Sequence, residues 1–267
     1  YKRPVKHRTN KRGLEISRGQ KMKELFDVKD KVIVITGGGG TLCSTIAKAL
    51  TDVGAKIAIW DINEQTAVRV AGEIEASKGR AVAVKCDVLD KEGLKTAKAK
   101  TVAELGQIDI LINGAGGNKK EATTSQNLSF FDLPVEAVRS VFDLNFIGTF
   151  LTTQIVAEDM ASRGKGVILN ISSMSAFRPL TKVVGYSAAK AAVNNFTQWL
   201  AVHICQNYCK DIRVNAIAPG FFLTGQNRFL LTNEKTGKLT PRGKTIIENT
   251  PMGRFGQPED LIGTVRW

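Results

Sequence analysis

The sequence predicts an α/β protein built on one doubly wound parallel sheet, and three observations predict it. Short β-branched runs alternate with helical segments between residues 31 and 217. Four glycines, Gly37-Gly38-Gly39-Gly40, separate the first strand from the first helix. Thr36, Asp61, Asp87, Asn113, Ser173 and Pro219 all fall at or just past predicted strand ends. Strands that alternate with helices imply a parallel sheet covered on both faces. Ligands of such sheets bind beyond the carboxyl ends of the strands.

In chain order, Lys31-Val32-Ile33-Val34-Ile35-Thr36 reads as a buried strand. After the glycines a helix runs from Thr41 to Val53, and Gly54 ends it. Ala55 to Trp60 forms the second strand, with Asp61 directly after it. A helix over about 63–76 precedes the strand Ala81 to Cys86, and one over about 91–105 precedes the strand Ile108 to Asn113. A loop leads to one long helix over 134–162, then a strand at 166–172. The helix that carries Tyr186 runs over 185–208, and 212–217 is the last strand. Residues 221–258 show no regular pattern and contain Pro241, Pro251 and several glycines. So long an irregular stretch inside a compact domain reads as a lid. Pro258-Glu259-Asp260 opens a final helix.

Composition narrows the class. A chain of 267 residues, 43% hydrophobic, suits one large domain over 24–267. No apolar run approaches the ~18 residues of a membrane helix, and the N-terminus has no signal-peptide core. The expectation is a soluble, cytoplasmic protein with no membrane partner. Cys43, Cys86, Cys205 and Cys209 form no C-x-x-C pair, and His7 and His203 are the two histidines, so no metal site is expected. The net charge of +13 is concentrated in residues 1–23, where nine Lys/Arg against Glu15 give +8. That basic arm reads as a disordered extension, which argues against a nucleic-acid partner.

The chemistry centres on Tyr186-Ser187-Ala188-Ala189-Lys190. Four residues apart on a helix, Tyr186 and Lys190 share a face. An ammonium near a phenol favours the phenolate, so the tyrosine pKa is expected to fall from about 10. A phenol so tuned gives a proton to a carbonyl oxygen or takes one from an alcohol. Ser173, just past a strand end, could place its hydroxyl beside the phenol to hold the substrate oxygen. Taken alone, Y-x-x-x-K is common on surface helices.

The surrounding motifs raise its weight. Thr36-Gly37 with its glycine loop, Asp87-Val88, Asn113-Gly114-Ala115-Gly116, Asn145, Ser173, Tyr186-x-x-x-Lys190 and Pro219-Gly220 occur in one order. In residues and spacing they resemble the short-chain dehydrogenases/reductases over roughly residues 28–267. The T-G-G-G-G-x-L-C loop with Pro219-Gly220-Phe221-Phe222-Leu223-Thr224 and Gln226-Asn227-Arg228 resembles a narrower branch, the D-mannonate oxidoreductases (fructuronate reductases). Three departures stand out. Thr41 and Cys43 replace the last two glycines of T-G-x-x-x-G-x-G. The family's N-N-A-G reads N-G-A-G. The sheet is expected to lack the family's final edge strand.

The resemblance implies a Rossmann-type fold and NAD(H)-dependent oxidoreduction. Gly37, Gly40, Thr41 and Leu42 would carry the pyrophosphate at the helix N-terminus. Asp61 would accept hydrogen bonds from the adenosine ribose and repel a 2′-phosphate, which favours NAD over NADP. Its plainer reading is a helix N-cap. Asp87 and Val88 would flank the adenine, and Asn113, Ala115 and Gly116 would line the cleft. Pro219, Phe222 and Thr224 would meet the nicotinamide, with Thr224 on its carboxamide. Tyr186 and Lys190 would touch the ribose. Asn145 completes the catalytic set through a water leading from Lys190 to solvent.

For a sugar-acid substrate, Arg178 offers a planar fork for the carboxylate, and Asn118, Gln226 and Asn227 offer amides for hydroxyls. The expected reaction interconverts a keto sugar acid and its hydroxy form, D-fructuronate and D-mannonate. Alternatives are the same chemistry on another sugar, polyol or 3-oxoacyl substrate, and a non-catalytic nucleotide-binding or nucleic-acid-associated protein. A homo-oligomer, dimer or tetramer, is expected through the long helices.

Overall fold

The computed structural model describes residues 26–178, 180–225, 227–233 and 236–267. The basic segment 1–23 and Gln226 lie outside the described residues. Six strands form one parallel sheet: β1 (Val32–Thr36), β2 (Lys56–Asp61), β3 (Arg80–Lys85), β4 (Ile108–Asn113), β5 (Gly166–Ile171) and β6 (Ile212–Ile217). Their spatial order is β3-β2-β1-β4-β5-β6, so the winding reverses at β1, which lies between β2 and β4. Every strand pair is parallel.

Alternate residues of each strand face opposite sides. Ile33 and Ile35 of β1, with Ile57 and Ile59 of β2, join a core under α1 (Thr41–Thr51) and α2 (Glu64–Ala76). Val32, Val34, Ala58 and Trp60 join a second core with α3 (Lys91–Leu105) and the helices after β4 and β5. Both faces are covered, which is why β1 and β2 read as continuous apolar runs. Trp60 is fully buried, and its indole N–H donates to Thr101 Oγ1 on α3 at 2.9 Å.

Three segments differ from the sequence reading. The single helix expected over 134–162 is α4 (Val135–Phe142), a π-helical turn (Asp143–Ile147) and α5 (Gly148–Arg163). At the turn, Asn145 Nδ2 donates to the Val141 carbonyl at 2.8 Å and to the Gly117 carbonyl at 2.7 Å. A helical sequence pattern continues through such a turn, so periodicity does not reveal it. α6 (Val184–Asn207) follows β5 as expected. The stretch 221–258 is not structureless: it holds α7 (Arg228–Leu231) and α8 (Pro241–Glu248). Thr240 caps α8 by accepting from Gly243 N–H at 3.1 Å. Pro258–Leu261 is a 3₁₀ turn that leads into α9 (Ile262–Arg266).

Candidate active site

The carboxyl ends of the strands gather the sequence-predicted residues. Thr36 ends β1, and its hydroxyl oxygen accepts from the backbone N–H groups of Gly114 and Ala115, each at 3.1 Å. The loop after β4 is thereby tied to β1 where the winding reverses, the usual ligand crevice of such sheets. Gly37 has φ +62, and a Cβ there would stand 2.9 Å from the Ala115 Cα, so only glycine fits. Gly40 precedes α1 without a side-chain cap, and the first turn of α1 carries no acid. Its N–H groups can therefore meet an anion, as a dinucleotide pyrophosphate requires.

Asp61 ends β2 beside this turn. Its Oδ2 accepts from Gly39 N–H and its Oδ1 from Asn63 N–H, both at 2.9 Å. The N-cap of α2 is Asn63, which accepts from Thr66 N–H at 3.2 Å, and not Asp61. Asp61 therefore places a carboxylate at the glycine turn, beside the N-terminus of α1. Asp87 is exposed and accepts from Leu89 N–H at 2.9 Å, while Val88 is buried against Gly148.

Two departures from the family pattern meet in space. Cys43 is buried on α1, and a Cβ at Gly114 would overlap its Sγ. Gly114 thus makes room for the thiol that replaces a glycine. Burial pushes the Cys43 thiol up to about 12, so it packs as a neutral group. Thr41 is exposed and Leu42 half-buried in the same turn.

Ser173, Tyr186 and Lys190 stand where β5 leads into α6. Ser173 opens the 3₁₀ turn Met174–Ala176, and its Oγ accepts from Ser175 N–H at 3.2 Å. Met174 N–H donates to the Pro219 carbonyl at 3.0 Å, which joins the serine loop to the segment after β6. Lys190 is buried, and its Nζ donates to the Ile171 carbonyl at 2.7 Å, 5.7 Å from the centre of the Tyr186 ring. Burial lowers the Lys190 pKa to about 8. The expected lowering of the tyrosine by Lys190 is not found: burial raises the Tyr186 pKa, and the group that opposes the rise is the Ser173 hydroxyl. The ammonium is engaged by a backbone carbonyl instead, so Ser173 is the phenol's own partner.

Gly116 lets the loop after β4 close on this group. A Cβ there would lie 2.5 Å from Asn145 Oδ1 and 3.3 Å from Lys190 Nζ. Asn145 is fully buried, and its Oδ1 also accepts from Gly117 N–H at 3.2 Å. Within the protein its side chain is held by the Gly117 backbone and the Val141 carbonyl. Asn113 also departs from expectation. Its side chain does not line the cleft but turns into the core, donating to Thr153 Oγ1 and Asn170 Oδ1, each at 2.9 Å. Asn170 continues the network to Thr197 Oγ1 on α6 at 2.8 Å. Sequence reasoning missed this lock, although an Asn within the apolar run 167–171 was a usable signal, since a buried amide demands partners.

The substrate-side residues are less concentrated. Arg178 is exposed, one turn past Ser173, with its N–H on the Met174 carbonyl at 3.1 Å. Asn118 is exposed, and its amide donates to Thr123 Oγ1 at 2.6 Å. Thr224 is half-buried, Phe222 and Pro219 are buried, and Asn227 closes the loop between Phe222 and Thr224. Among the described residues no group of three or more His, Cys, Asp or Glu could hold a metal ion. No helix among them is long and apolar enough to cross a membrane.

A nucleotide cradle at the β1 turn, a carboxylate at the end of β2 and a Ser-Tyr-Lys set define a dinucleotide-dependent oxidoreductase. The short chain dehydrogenase family model matches residues 31–235, and the chain belongs to that family. It is similar to the uncharacterized oxidoreductase UxuB of Bacillus subtilis (strain 168), with 47% identity over 245 residues, covering 89% of this chain and 87% of the relative. It is similar to a crystal structure of a candidate D-mannonate oxidoreductase from Haemophilus influenza with bound NAD, at TM-score 0.83 and 47% identity. That match covers 90% of this chain and 88% of the other. A 7α-hydroxysteroid dehydrogenase complexed with NADH and 7-oxo glycochenodeoxycholic acid matches at TM-score 0.78 and 30% identity, covering 90% and 88% of the two chains.

Proposed function

We propose that this NAD-dependent oxidoreductase interconverts a keto sugar acid and its hydroxy form, with D-fructuronate and D-mannonate as the pair. The observation that carries the reading is the meeting of Ser173, Tyr186 and Lys190 at one strand end, closed over by Gly116 and Asn145. When bound, the nicotinamide supplies or accepts the hydride. Tyr186 Oη gives the proton to the carbonyl oxygen in reduction and takes it back in oxidation. Ser173 Oγ holds that oxygen beside the phenol. Lys190, anchored on the Ile171 carbonyl, lies behind the tyrosine as a buried cation that can reach the ribose.

The likeness to a candidate D-mannonate oxidoreductase supports the sugar-acid substrate. Arg178, exposed at the mouth one turn beyond Ser173, is the cation proposed to receive the carboxylate. A bidentate guanidinium–carboxylate contact is worth roughly 1.5–3 kcal/mol, so Arg178→Ala should lower kcat/KM for D-fructuronate about ten- to a hundredfold. Neutral keto-sugars should be affected little. NADH oxidation over a panel of charged and neutral keto-sugars measures both. Equal losses on the two classes would show that Arg178 shapes the loop and does not read charge. No reduction of D-fructuronate by the unmodified protein would remove the sugar-acid reading.

Two copies would associate through α5 and α6. Trp199 and Val202 are exposed on α6 and Tyr208 directly after it, and Phe150 is partly exposed on α5. Trp199 stacks on His203 with centroids 4.5 Å apart, which makes a preformed aromatic face. Light scattering that finds a monomer would count against this.

A further inference from the structure

The lid begins with a loop that is locked by one side chain. Phe222 is buried, and a Cβ at Gly256 would stand 2.6 Å from its ring, so the two sit face to face. Gly256 N–H donates to the Phe221 carbonyl at 2.8 Å, which fastens the end of the lid to its beginning. Arg254 and Asp260 brace that end with two contacts, at 2.7 and 3.0 Å. Between these anchors, Asn227 turns its amide back on the loop. Its Oδ1 accepts from Thr224 N–H at 2.9 Å, and its Nδ2 donates to the Phe222 carbonyl at 2.7 Å. The Thr224 carbonyl accepts in turn from Asn227 N–H at 3.2 Å and Arg228 N–H at 3.0 Å.

Both backbone groups of Thr224 are thus consumed. Its hydroxyl makes no hydrogen bond among the described residues and remains available to a ligand. We infer that Asn227 is a positioning residue: its amide latches the backbone at Phe222 and Thr224 so that the Thr224 hydroxyl meets the nicotinamide end of the cofactor. The inference rests on the reading of Thr224 as a nicotinamide contact. It reassigns Asn227 from substrate hydroxyls to the loop, because both ends of its amide are held by backbone groups.

The latch needs an acceptor and a donor on one planar group. Alanine supplies neither. A carboxylate keeps the acceptor for Thr224 N–H but sets a second lone pair against the Phe222 carbonyl, and protonation restores the donor. Affinities for NAD and for ADP-ribose, which lacks the nicotinamide, are measured by calorimetry for the unmodified protein, Asn227→Ala and Asn227→Asp. Two lost hydrogen bonds should weaken NAD binding by Asn227→Ala about tenfold or more, with ADP-ribose binding unchanged. Asn227→Asp should match that loss at about pH 8 and recover toward the unmodified protein only as the pH falls to about 4, where a carboxyl is about half protonated. Amide exchange at Thr224 should speed up in Asn227→Ala without any ligand.

Equal losses for NAD and ADP-ribose would make the effect a general loss of structure and overturn the inference. Unchanged NAD affinity, or unchanged Thr224 exchange, would overturn it as well. If the unmodified protein bound NAD no more tightly than ADP-ribose while exchange at Thr224 still responded to Asn227→Ala, the nicotinamide reading of Thr224 would fail and the latch alone would stand.

Discussion

A methyl group added at Gly114 should be costly, and Cys43 should decide how costly. Gly114→Ala puts a Cβ into overlap with Cys43 Sγ and 2.8 Å from the Thr36 carbonyl oxygen. Overpacking of this kind costs about 1–3 kcal/mol. In a domain of this size each kcal/mol moves Tm by about 2–4 °C, so the single variant should melt roughly 5 °C below the unmodified protein. Cys43→Ala removes the sulfur, leaves a small cavity and costs about 1 kcal/mol. In the double variant the sulfur overlap is gone, and the Cys43 Cβ lies 3.8 Å from the new methyl, an ordinary contact. The approach to the Thr36 carbonyl survives, so rescue should be partial. The double variant should melt at or above Gly114→Ala, with a coupling of about 1 kcal/mol between the two positions. Thermal melts of the four proteins in one buffer test this. Additive losses, or a Gly114→Ala protein as stable as the unmodified one, would refute the packing account.

Three further outcomes are expected. Tyr186→Phe should lose nearly all turnover and keep NADH binding, because only the proton donor is removed; near-normal turnover would take Tyr186 out of the reaction. Asp61→Ala should weaken NAD binding about tenfold and narrow the preference over NADP, since charge-assisted hydrogen bonds and a repulsive charge are lost together; an unchanged NAD to NADP ratio in steady-state kinetics would make Asp61 only the anchor of Gly39. Lys190 has its pKa lowered from 10.5 to about 8 by burial. Between those pH values the unfolded chain holds a proton that the folded chain has released, so stability rises with pH there, and the cost of the buried ammonium is felt in full below about pH 8. Denaturant melts should therefore show the unmodified protein gaining on Lys190→Met as pH climbs from about 8 to 10.5, and a flat difference would place Lys190 in a more polar setting than the structure gives it.

The sheet and its strand ends were legible because the physics there is local. Buried parallel strands must be β-branched and apolar on both faces, so Val32–Thr36 and Lys56–Asp61 announce themselves. The polar residue that follows each strand marks the crevice. The π turn at Asp143–Ile147 was not legible, because the Asn145 amide within it bonds to Gly117, a partner distant in sequence. The helices within 221–258 were hidden for a similar reason. Thr240, Pro241 and Asn227 each carry a local cap or turn signal, but the glycines and prolines between them hide α7 and α8 from any periodicity.

The candidate site shows the same division more sharply. Residue types told which groups could do the chemistry, and their order matched a family. What they could not tell is which group faces which. The spacing of Tyr186 and Lys190 suggested that the ammonium tunes the phenol, yet the helix carries Nζ onto the Ile171 carbonyl and leaves Ser173 as the opposing influence on the tyrosine. Cys43 and Gly114 looked like two separate losses from the family pattern, one in the glycine turn and one after β4. In three dimensions one is the reason for the other: a thiol added on α1 occupies the space that a side chain after β4 would have filled. Thr36, bonded to both Gly114 and Ala115, ties the loop after β4 to the end of β1 beside this contact.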